Sequence, residues 1–201
     1  AAAAINLGVA AFGFGLARLE THHPSADADD PAATAVPPDA WPVMVAIGLS
    51  GMTALGAEVV WTRLLTLTLG GTVYTFSLIL AAFLTGLGIG SGVGSFLARF
   101  IRNPRAALGL CQLFVMGGLA WAAYALTTAL PYWPIDPSLA VSPWNNFQID
   151  LVRCLLTVLP GAILWGLSFP FALAAMASRG QDTGHLVGRV YAANTVGAIV
   201  G

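Results

Sequence analysis

PVMVAIGLSGMTALGAEVVWTRLLTLTLGGTVYTFSLILAAFLTGLGIGSGVGSFLA, residues 42–98, contains only two charged side chains, Glu58 and Arg63. A membrane-spanning helix needs about 20 predominantly apolar residues. This stretch is long enough for two such helices, and its one break is Gly70-Gly71. It reads as spans over about 42–69 and 72–98, joined in a tight antiparallel hairpin. Two more apolar runs follow, over about 107–130 and 151–177. The expected fold is an all-α polytopic transmembrane bundle of four complete spans, with truncated spans at both termini.

Composition agrees. Of 201 residues, 57% are hydrophobic and 8% charged, against roughly 25% charged in an ordinary soluble domain. The mean hydropathy is +0.80. So few charges could not cover the surface of a soluble enzyme, and a net charge of −1 gives no electrostatic case for nucleic acid. The implied surroundings are a lipid bilayer. Cys111 and Cys154 sit in apolar runs without metal-ligand spacing and read as ordinary packing residues.

Three domains are expected. Residues 1–17, AAAAINLGVAAFGFGLA, are the end of a preceding transmembrane helix. Residues 18–41 are an acidic, Pro-rich aqueous linker with Glu20, Asp27, Asp29, Asp30, Asp39 and four prolines. His22 and His23 lie beside those aspartates, but their spacing fixes no metal geometry. Residues 42–201 are a transmembrane helical domain, truncated at 201.

Arginine in short loops sets the orientation. Arg99, Arg102 and Arg105 place loop 99–106 in the cytoplasm, and Arg179 and Arg189 do so for loop 178–189. Loop 131–150 carries Asp136, Asp150, Tyr132, Trp133 and Trp144 without arginine, and belongs outside. Arg153 disagrees mildly, unless it snorkels or pairs with Asp150 three residues earlier.

Several residues invite chemistry. The run GLGIGSGVGS places glycines at 86, 88, 90, 92 and 94. The dinucleotide fingerprint requires a glycine at an odd offset after a strand, and neither condition is met. Spacing by four is the small-xxx-small pattern of helix packing, so Gly86, Gly88, Gly90, Gly92 and Gly94 are packing candidates. Glu58 and Arg63 are five apart, about 140° around a helix, which is poor for direct pairing. Glu58 is either a proton or cation acceptor or, as we expect, part of an interfacial network with Arg63, Tyr74 and Thr72. Pro160 and Pro170 each remove a helical hydrogen bond and should kink the fourth span. Asn194 is an interhelical hydrogen-bonding candidate. No nucleophile–base, paired-carboxylate or CxxC arrangement occurs, so no catalytic centre, cofactor or metal is expected in these residues.

Five pieces of text together resemble the membrane region of bacterial spermidine-synthase-like proteins, the fused major-facilitator/spermidine-synthase group. They are E-V-V-W-x-R at 58–63, the Gly-rich helix at 86–94, Pro160-Gly161, Phe169-Pro170 and G-R-x-Y-A-x-N-T at 188–195. The resemblance covers about 42–201. It implies a multi-spanning bundle of two similar halves in the bacterial cytoplasmic membrane, sometimes followed by a soluble aminopropyltransferase-like domain. It places none of that domain's substrate-binding residues here. The expected role is anchoring, scaffolding or small-molecule passage. Its partners would be other membrane subunits or the remaining halves of the same protein. An accessory subunit of a membrane complex and a transporter for an amine or organic cation are the alternatives.

Overall fold

The computed structural model describes residues 40–133, 142–177 and 183–201. The segment 1–17 and nearly all of the linker 18–41, with His22 and His23, lie outside them. The described residues are helical, with no strand among them. Five helices follow in order: α1 Trp41–Leu69, α2 Val73–Ala98, α3 Pro104–Tyr124, α4 Pro143–Met176 and α5 Thr183–Val200. After α3 the chain widens into a π-helical turn, Ala125–Ala129, then tightens into a 3-10 turn, Leu130–Tyr132. Among the described residues, four segments are long and apolar enough to cross a membrane: α1, α2, Pro104–Tyr132 and α4.

Helix starts follow a short chemical rule. Asn103 accepts from the Ala106 N–H at 3.3 Å and Ser142 from the Asn145 N–H at 3.1 Å. Each is followed by proline, which suits the first turn because its missing N–H has no helical carbonyl to reach. Thr72 caps α2 through the Thr75 N–H at 3.3 Å. Between α1 and α2, Gly70 adopts φ 91°, a left-handed conformation that favours glycine.

These caps correct several boundaries. Pro143 starts α4 eight residues before the apolar run, so much of the expected loop 131–150 is helix. Likewise, residues from Thr183 onward in the expected loop 178–189 belong to α5. A helix ends where its capping chemistry ends, and hydropathy alone misses the polar turns beyond the bilayer.

The expected α1–α2 hairpin needs a second correction. The turn is there, but α1 and α2 touch over little of their length. The most extensive contact is α2 with α4, followed by α1 with α5 and α3 with α4. In α4, 56% of the apolar window is buried, against 28–33% in the other three spans, which makes α4 the central helix. One apolar cluster gathers Trp61, Leu65, Ile79, Phe83, Val158 and Trp165. The other gathers Ile47, Cys111, Phe171, Met176 and Val190.

Candidate functional site

The α2–α4 crossing is built on missing side chains. A Cβ on Gly90 would run into the Ile163 carbonyl oxygen and lie 3.0 Å from the Gly166 Cα. One on Gly94 would lie 3.2 Å from the Leu167 Cα, and one on Gly86 3.2 Å from the Ile163 nitrogen. Gly166 answers from α4, where a Cβ would meet the Ser91 nitrogen at 2.9 Å. Gly88 and Gly92 lie on the exposed side of α2 and have nothing within 4 Å. Close packing against α4 therefore rests on Gly86, Gly90 and Gly94, and not on all five glycines.

Both α4 prolines sit inside an unbroken helix. Each lacks the N–H that would reach the carbonyl four residues earlier, and in hydrocarbon a freed carbonyl needs another donor. For Pro160 that carbonyl is Leu156, which accepts from the Trp121 indole N–H of α3 at 2.8 Å. For Pro170 it is Gly166, which accepts from the Ser91 hydroxyl of α2 at 3.3 Å. Two neighbouring helices thus replace the two lost bonds. A further polar contact joins α3 to α4, where Gln112 Nε2 donates to Ser168 Oγ at 3.0 Å.

Beside the α2–α4 crossing lies a cavity of about 300 Å³ between α1, α2, α4 and α5. Its walls include Phe83, Trp165, Phe169 and Tyr191, and its polar lining includes Ser50, Ser91 and Asn194. Trp165 is held by an edge-tilted contact to Phe83, centroids 6.2 Å apart, and by its indole N–H donating to Thr53 Oγ1 at 3.3 Å. Among the described residues, no charged side chain lines this space.

Asn194 is half-buried and reaches the cavity because α5 comes close to α1. A Cβ on Gly51 would lie 2.8 Å from Asn194 Oδ1, and one on Gly197 3.0 Å from the Gly48 Cα. The G-x-x-x-G spacing of Gly197 and Gly201 carries this second seam, a signal present in the sequence but not singled out there.

The expected Glu58 network is not formed. Glu58 is half-buried on the α1 face shared with Ala54, Trp61 and Leu65, and has no ion pair or hydrogen-bond partner among the described residues. Arg63 points outward and is exposed. The Tyr74 hydroxyl donates instead to Asp150 Oδ2 at 3.5 Å, and Thr72 is occupied as a cap. Because α1 and α2 diverge, Tyr74 meets the first part of α4. There Asp150 also pairs with Arg153 at 3.6 Å. The Arg153 guanidinium donates to the Trp133 carbonyl and lies 6.0 Å from that ring's centroid.

Among the described residues no three His, Cys, Asp or Glu side chains converge to hold a metal ion. No family model, curated protein or solved structure matches the chain.

Proposed function

We propose that this chain is the helical membrane domain of a spermidine-synthase-like protein, acting as anchor and scaffold. The observation that carries the reading is the close packing of the helices. The α2 glycine seam and the two proline carbonyls all close on α4. What supports the family assignment is that its motifs coincide with these contacts. Gly90 and Gly94, Gly161, Pro170 and Asn194 each stand at or beside a helix crossing. In this reading the chain resides in the bacterial cytoplasmic membrane. Loops 99–106 and 178–189 face the cytoplasm, 131–150 faces outward, and the partners are other membrane subunits or the rest of the same protein.

The accessory-subunit alternative shares this architecture and differs only in what the bundle anchors. An amine transporter is supported less well. Cationic cargo in a low-dielectric site calls for a counter-charge, yet Glu58 is not among the residues lining the cavity.

The test is fractionation of cells expressing the full-length gene product, with aminopropyl transfer followed as methylthioadenosine release. Activity should sediment with membranes and move to the supernatant when residues 42–201 are deleted. Absence of transfer activity from the full-length product would overturn the synthase assignment. Activity that stays in membranes without these residues would overturn the anchoring role.

A further inference from the structure

We propose that the cavity between α1, α2, α4 and α5 is a binding site for a neutral, oxygen-headed apolar molecule, such as a long-chain alcohol or carbonyl compound. The first observation is Ser50. Seven hydroxyls on these helices, those of Thr53, Thr66, Thr68, Ser77, Thr127, Thr157 and Ser168, donate to a backbone carbonyl about one turn earlier. That is the ordinary way to satisfy a helical hydroxyl in an apolar medium. Ser50 does not follow it. The residue is 3% exposed and lines the cavity; its carbonyl accepts from Thr53, but its hydroxyl has no hydrogen-bond partner among the described residues. A hydroxyl left without a partner in an apolar bundle is costly, and the cavity it borders is where a partner fits.

The second observation is Asn194, which lines the same space and whose amide likewise has no hydrogen-bond partner among the described residues. A hydroxyl and an amide can both donate and accept, so either suits an alcohol or carbonyl oxygen. Of the other lining residues Ser91 is polar, but its hydroxyl is already spent on the Gly166 carbonyl; the rest of the wall is apolar, and about 300 Å³ is at the lower edge of ligand pockets. Leu55 and Tyr191 line the cavity and are themselves exposed, so the opening lies on the flank of the bundle, within the span. A ligand entering there comes through hydrocarbon, which favours a neutral molecule over an amine cation.

This site is independent of the anchoring role, and its test does not use transferase activity. The full chain in lipid nanodiscs is photolabelled with a decyl diazirine ending in a hydroxyl, and with its ammonium- and methyl-ended counterparts. Labelled residues are mapped by mass spectrometry. The hydroxyl probe should label the cavity lining saturably, with competition by unlabelled decanol. Ser50→Ala should weaken that labelling about three- to tenfold. This variant removes one oxygen and leaves the packing intact. Lipid-facing Leu113, 63% exposed, should react equally and without saturation with all three probes. Saturable labelling by the ammonium probe at equal or lower concentration would overturn the neutral-ligand assignment. Equal, unsaturable labelling of the cavity by the methyl probe, indifferent to Ser50→Ala, would show that lipid chains alone fill the space.

Discussion

Gly90 and Gly92 stand two positions apart on α2, yet alanine should have opposite effects at the two sites. At Gly92 a Cβ meets nothing within 4 Å, so Gly92→Ala should raise stability by up to ~1 kcal/mol through helix propensity. At Gly90 the Cβ collides with the Ile163 carbonyl, and Gly90→Ala should lower stability by about 1–3 kcal/mol through overpacking. Thermal unfolding of both variants in the same nanodiscs checks this, and equal shifts would contradict the assigned seam. Glu58 carries a different expectation. Its carboxylate has no partner among the described residues, and an amide is cheaper than a charge within a span. Glu58→Gln should therefore leave the unfolding temperature unchanged or raise it. A loss above ~1 kcal/mol would be too large for an unpartnered site and would reveal a contact that holds the acid.

The proline-bearing helix makes a prediction that no single contact can make. Trp121→Phe removes the indole N–H that serves the Leu156 carbonyl and should cost about 1–2 kcal/mol. Pro160→Ala restores a backbone N–H four residues on from Leu156. In that background the cost of Trp121→Phe should fall by at least half. A double-mutant cycle measures the coupling, and purely additive losses would show that the tryptophan only fills space. The two lost hydrogen bonds could be read from Pro160 and Pro170, because proline's missing donor is a local property. The donors that compensate could not, since Trp121 and Ser91 lie 35 and 75 residues from their acceptors. The spans were legible because each apolar run exceeds bilayer thickness, whereas the Ser142-Pro143 start was hidden by polar neighbours. Even spacing of five glycines announces two candidate rows but not which one faces a partner. That choice is made by Ala162, Ile163 and Gly166 on a distant helix. The surroundings of Glu58 were hidden for the same reason, since the chain neighbours α1 and α2 are in contact over little of their length.

Orientation is the prediction that belongs to the assembled bundle. Cys111 and Cys154 are free and buried, so they should stay silent toward an impermeant maleimide and leave a single introduced cysteine as the reporter. Asn103→Cys, beside Arg102 and Arg105, should label only after the membrane is opened, as the proposed orientation requires. Labelling from the outside in intact cells would invert it. The central place of α4 also has a consequence in time. At about 5–20 residues per second, the 75 residues separating Ser91 from Gly166 take the ribosome roughly 4 to 15 s to make. Throughout that delay α1 and α2 are in the bilayer with the Gly86–Gly90–Gly94 groove open to any passing helix. Until its fourth span emerges, the nascent protein therefore holds that groove without the helix that fills it.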